Sequence, residues 1–156
     1  MAETSVTSTA SVKRTVTNDL LIGIVFGLAG FAVNLFKLEL YFNVDFLFGS
    51  ILTMFAIMRF GLTTGIVAAF IAALCTWYHW GQPWAVVIFT VEAIFTALLI
   101  RRKVNSVFTN LIYWFSCGTL LVLLFYHFIM KFPLDTTILI ALKQGINGVA
   151  NTLAAS

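Results

Sequence analysis

The chain reads as an all-α integral membrane protein, a bundle of about six transmembrane helices. Two observations predict it. Of its 156 residues, 61% are hydrophobic and only 10% are charged, against roughly 25% charged in soluble domains. Apolar runs of spanning length also recur along the chain, separated by short polar or Gly- and Pro-containing turns. A third observation locates the function within that bundle: Glu92 and Lys143 are ionisable residues inside long apolar runs. A charge in hydrocarbon costs about 2.5–3.5 kcal/mol on insertion scales, so it is expected to be paired, hydrated or functional.

The N-terminal residues 1–18 are rich in Ser and Thr and lack an apolar period. They are expected to form a disordered cytoplasmic tail, leaving residues 19–156 for the bundle. Lys13 and Arg14 precede the first apolar run, as in a signal peptide. That run is longer than a signal core and has no clean small-residue cleavage site, which favours a retained helix. The expected spans are 19–36, 45–60, 62–79, 83–100, 106–130 and 135–156. The second is the shortest, so five spans is the alternative count. Gly61 separates the second span from the third and predicts a helical hairpin.

Direction follows from the Lys and Arg of the loops. With a cytoplasmic N-terminus, Lys13, Arg14, Arg59, Arg101, Arg102 and Lys103 lie inside, and only Lys37 and Lys131 lie outside. Six spans then place the C-terminus inside as well. Aromatic residues agree: Trp77, Tyr78, Trp80 and Trp84 cluster at one outer turn, with Tyr41, Phe42, Tyr126 and Phe128 at other outer ends. Such rings form an ordinary interfacial belt or, in this density, the rim of a pocket. Lipid gives helices no hydrophobic reason to associate, so small residues mark close contacts. Gly23 and Gly27, then Gly65, Ala69 and Ala73, then Gly145, Gly148 and Thr152 supply them.

Glu92 and Lys143 lie nine and eight residues into spans that start on the same side, roughly 12–14 Å deep. An ion pair between them is geometrically allowed, and Glu92 is the expected partner of Lys143. Lys143, Asn147 and Asn151 repeat every four residues and share one helical face with Gln144 at its edge. Asn34 and Thr90 are further polar groups in apolar runs. The polar side chains act either as interhelical ties, about 0.6 kcal/mol each, or as the lining of a pocket or ion path. The candidate ligand-binding residues are Glu92, Lys143, Asn147, Asn151, Trp77, His79, Trp80, Trp84, Tyr126 and His127. His79 and His127 also admit a haem or metal reading, weighed against interfacial histidines that cap a helix. No metal site and no cofactor is expected. Cys75 and Cys117 fall in apolar runs and read as buried thiols, not a disulfide framework. No phosphate loop, nucleophile elbow or metalloprotease helix is present, so no catalytic function is expected. A net charge of +3 without a basic stretch longer than Arg101–Lys103 does not suggest nucleic acid.

The stretch from Phe46 to Gly65 carries Gly49 and then Arg59, Gly61 and Gly65 in an R-x-G-x-x-x-G pattern. With the Trp77–Trp84 cluster, Glu92 and the run Leu142 to Gly148, it resembles the membrane-embedded input domains of bacterial signalling proteins, the MASE-type and LytS-type sensors. More distantly it resembles the six-helix substrate-binding subunits of vitamin transporters. The first resemblance implies a bundle in the bacterial inner membrane that binds a small ligand and precedes a diguanylate cyclase or histidine kinase module. The chain departs from that pattern in having no output module, as an isolated input domain or a fragment would. The expected partners are the lipid bilayer, an unidentified small ligand, such an output module and a second copy of the chain. A transport subunit is the alternative, and a ligand-free anchor and dimeriser is a third.

Overall fold

The computed structural model describes residues 7–36, 38–40 and 44–156. Among them, helices form six rods. They are α1 (Thr7–Leu35), α2 (Gly49–Phe60), α3 (Leu62–Trp80), α4 (Trp84–Arg101), a composite fifth rod, and a last helix. The fifth rod runs through α5 (Ser106–Tyr113), a π-helical segment π1 (Trp114–Gly118), α6 (Thr119–Val122) and a second π segment π2 (Leu123–Ile129). The last rod is α7 (Leu134–Ala155). Helices suit this composition because hydrocarbon offers no partner for backbone N–H and C=O groups, which a helix satisfies within itself.

Four rods are long and apolar enough to cross a membrane: Val16–Leu35, α3, α4 and Ser106–Ile129. The other two differ from the expected spans for separate reasons. Helix α2 has 12 residues, about 18 Å of rise against a hydrocarbon core of about 30 Å. Helix α7 has 22 residues and ample length, but its polar stripe dilutes its hydropathy. Helix α1 starts at Thr7, so residues 7–18, expected in a disordered tail, continue the first rod as helix. Ser and Thr are only mediocre helix formers, yet they extend a helix already nucleated by an apolar segment.

One part of the fold is not helical. Strands β1 (Leu38–Leu40) and β2 (Val44–Phe46) pair antiparallel between α1 and α2, with Leu38 opposite Phe46 and Leu40 opposite Val44. Lys37, Tyr41 and Phe42, expected on the outer side, lie outside the described residues.

Helix α3 is the hub, packing against α1, α2 and α4. Small residues make this possible. A Cβ built on Gly23, Gly27 or Gly30 of α1 would lie within about 3 Å of Val67, Ile71 or Ala72 of α3. Helices α1 and α3 run parallel: the Thr64 hydroxyl donates to the Asp19 carbonyl at 3.1 Å, and Asn34 Nδ2 donates to the Ala72 carbonyl at 3.2 Å. Helix α2 returns the chain between them and hands over to α3 at Gly61, whose φ of 93° is a conformation that glycine adopts cheaply. The tight α2–α3 hairpin expected from Gly61 is thus present.

Two apolar clusters occupy opposite ends. Met54, Ile57, Ala69, Ala93 and Ala97 gather at the end where α2 stops, with Leu62, Ile100 and Ala155 packed on them. Arg59, Arg101, Arg102, Lys103 and the end of α7 therefore share one end of the bundle. Ile88, Tyr113, Trp114, Val122 and Tyr126 form the second cluster, closed by Ile140 and Ala141 of α7.

Candidate functional site

Glu92 sits midway along α4 and is 1% exposed. It is not paired with Lys143. Its Oε1 accepts a hydrogen bond from Asn110 Nδ2 at 2.7 Å and another from Trp114 Nε1 at 2.9 Å. Among the described residues these are its polar partners, and both fall on one oxygen.

The π segment explains how the fifth rod reaches α4 twice. Tyr113 closes α5 and Trp114 opens π1, and both are buried. The Tyr113 hydroxyl donates to the Ile88 carbonyl at 2.7 Å, one turn before Glu92. The rings of Tyr113 and Trp114 meet edge to face, with centroids 5.2 Å apart. In a regular helix adjacent residues diverge by about 100°, and a π turn alters that register locally. The Trp114 carbonyl accepts from the Thr119 hydroxyl.

Helix α7 closes the site with glycine. A Cβ on Gly148 would lie 2.7 Å from Glu92 Oε1 and 3.0 Å from Asn110 Oδ1, and closer still to the Trp114 indole nitrogen. Gly148, not Lys143, therefore faces Glu92. The two α7 positions differ by five residues, about 7.5 Å along the axis and about 140° around it. Lys143 instead lies over the Trp80 ring, its Nζ 4.9 Å from the centroid. The Asp45 carboxylate is its charged neighbour.

Asn147 and Asn151, on the polar stripe, both turn inward as expected. Their Nδ2 groups donate to the same acceptor, the Leu47 carbonyl, at 3.1 and 2.7 Å. Asn151 also donates to the Ser50 hydroxyl oxygen. The stripe thus ties α7 to the start of α2. Gln144 is buried beside it, and Gln144 Oε1 and Asn147 Oδ1 find no hydrogen-bond partner among the described residues.

Between α1, α2, α3, α4 and α7 lies a cavity with about 20 Å³ of room for the centre of a water molecule. Its polar walls are Asn34, Ser50, Thr53, Glu92 and Asn147. One water sphere itself fills about 10–15 Å³, so space of this extent for water centres accommodates a water-sized occupant.

The remaining candidates serve other contacts. Trp77 and Tyr78 face outward, 53% and 76% exposed. Trp84 stacks on Phe125 at 4.6 Å between centroids. The cluster thus divides between an outer belt and interior packing. Tyr126 accepts from Gln82 Nε2 at 2.8 Å, and Gln82 Oε1 accepts from the Trp84 backbone N–H at 2.8 Å, which fastens the α3–α4 turn to π2. His79 Nε2 lies 2.9 Å from the Asn34 carbonyl and His127 Nδ1 lies 2.9 Å from the Phe132 carbonyl. Each histidine is held by its own backbone partner. Cys75 is buried and Cys117 half-buried, both as free thiols.

The chain matches no protein-family model, no curated protein and no solved structure.

Sequence reasoning missed Asn110, Trp114 and Ser50 as site residues. Asn110 had a signal, being an amide within the apolar run of span five. Trp114 had none, since a tryptophan among Phe, Tyr and Leu reads as lipid-facing or core.

Proposed function

We propose that the chain is the membrane-embedded input module of a bacterial signalling protein of the diguanylate cyclase or histidine kinase type. In this reading it is not itself an enzyme. All six rods belong to the membrane domain in the bacterial inner membrane, and the basic end, with both termini, faces the cytoplasm. The resemblance of the Gly49–Gly65 stretch to MASE-type and LytS-type sensors supports it, as does the shared end of Arg59 and Arg101–Lys103.

The observation that carries the reading is the convergence of α4, the fifth rod and α7 on Glu92. A carboxylate, an amide and an indole N–H with 0–4% exposure meet where α7 is thinned to a glycine. Any change in occupancy or charge there acts directly on α7. That helix then runs a further turn or two to the basic end. A ligand shifts such an equilibrium only through different affinities for the two arrangements. The cavity between α1, α2, α3, α4 and α7 is then where the small ligand binds, and its occupancy changes how α7 sits against α2 and α4.

The test is output activity in the signalling protein that contains this bundle, for Glu92→Gln and Gly148→Ala. Altered basal output or a lost response in both supports the reading. Wild-type output and response in both, or full regulation after exchange for an unrelated helical bundle, overturns it. The alternative, a substrate-binding transport subunit, draws on the mid-bundle polar residues and predicts solute flux with an energy-supplying partner.

A further inference from the structure

The hydrogen bonds around the cavity leave two acceptors unmet among the described residues. Asn34 Nδ2, Asn147 Nδ2 and the Thr53 hydroxyl already donate to the carbonyls of Ala72, Leu47 and Ser50. Asn34 Oδ1 is occupied by the Gly49 N–H at 2.7 Å. Among the described residues two acceptors remain: Asn147 Oδ1, buried without a hydrogen-bond partner, and Glu92 Oε2, which accepts no hydrogen bond. The Leu47 carbonyl fixes the orientation of the Asn147 amide, because only the NH2 side can bond to it. The Ser50 hydroxyl hydrogen and the second N–H of the Asn34 and Asn147 amides are uncommitted among the described residues, and the Ser50 oxygen is a further ligand atom.

A buried carboxylate without a cationic partner is costly in a low-dielectric interior. An occupant that satisfies these two acceptors brings positive charge or hydrogen-bond donors, and the room admits a water-sized group. Oxygen ligands with a single carboxylate suit a hard cation of low charge. Three or more His, Cys, Asp or Glu side chains grouped as for a transition metal are not found among the described residues.

We propose that the cavity binds one monovalent cation of about water size, such as Na⁺, with Glu92 supplying the charge and Asn147 and Ser50 supplying oxygen ligands. This deepens the sensory reading by naming the class of its ligand, and rests on that reading only for its consequence in signalling. Binding itself is a property of the bundle.

Trp114 provides the readout, since its N–H lies on the Glu92 carboxylate. The purified chain in detergent micelles is titrated with NaCl, KCl or NH4Cl against choline chloride at constant ionic strength, following Trp fluorescence and thermal unfolding. The expected result is a saturable fluorescence change and a raised Tm with at least one small cation and not with choline. Affinity falls at least tenfold in Glu92→Gln, which keeps an acceptor for Asn110 and Trp114, and several-fold in Asn147→Ala. Identical behaviour in every salt overturns the site, as does a saturable response that survives Glu92→Gln. A fluorescence change that follows pH and ignores all four salts shows that a proton alone neutralises Glu92, and also overturns it. Binding intact in the isolated chain with no cation effect on output in the signalling protein overturns the sensory reading and leaves the cation site standing.

Discussion

Trp114 Nε1 and Glu92 Oε1 stand 2.9 Å apart, and this bond joins the π segment of the fifth rod to the middle of α4. Asn110 donates to the same oxygen from one turn earlier. Removing the acceptor strands two buried donors at once, at about 1–3 kcal/mol each. Glu92→Ala is therefore expected to destabilise the bundle by roughly 2–5 kcal/mol. Glu92→Gln, which retains an oxygen in place, costs less than half of that. Reversible unfolding in mixed micelles compares the two, and equal losses would show that the hydrogen bonds do not matter.

Gly148 and Gly145 form a matched pair for the packing of α7. A methyl on Gly148 has nowhere to go among the Glu92, Asn110 and Trp114 polar atoms, whereas one on Gly145 would lie 3.6 Å from Trp114 in ordinary contact. Gly148→Ala is expected to cost about 1–3 kcal/mol as overpacking and to shift Trp fluorescence. Gly145→Ala should be neutral or slightly stabilising, through better helix propensity. Thermal melts of the two single variants read the difference.

The Leu47 carbonyl takes hydrogen bonds from both Asn147 and Asn151. Either amide alone keeps it satisfied. Single changes to Ala at these positions are expected to cost about 1 kcal/mol or less, near the membrane average. The double change orphans the carbonyl and should exceed the sum by about 1 kcal/mol. A double-mutant cycle on unfolding free energy measures that excess, and strict additivity would contradict it.

Gln82 links the α3–α4 turn to Tyr126. Tyr126→Phe removes one bond and little volume, and about 0.5–1.5 kcal/mol is expected. Gln82→Ala also frees the Trp84 N–H and should cost more. Hydrogen exchange at the α3–α4 turn, faster in Gln82→Ala than in Tyr126→Phe, is the corresponding local signature.

Much of the architecture was legible in the residues. Apolar run length identified the four long rods, because the hydrocarbon thickness sets a minimum that composition alone reports. Gly61 marked its hairpin, and the four-residue spacing of Asn147 and Asn151 placed both on an inward face. The hairpin of β1 and β2 was not legible, since three-residue strands carry no usable period. That the second span is the shortest was legible, but its start was not: the run from 45 to 48 reads as part of the span, yet α2 begins at Gly49 and Leu47 gives its carbonyl to α7 and not to a helix.

Depth along the helices misled in one respect. Glu92 and Lys143 are similarly far into their spans, but equal depth does not make neighbours. Residue chemistry and helical periodicity determined that Glu92 is buried polar, that α7 carries a polar face, and that small residues line α1 and α3. Those properties are local, following from side-chain type and a 3.6-residue repeat. Only the tertiary structure decided that Glu92 meets Trp114 and Asn110, that Gly148 faces it, and that Lys143 turns to Trp80. Partner choice depends on rotation and register between rods. Here a π turn in one helix and a missing Cβ in another set both.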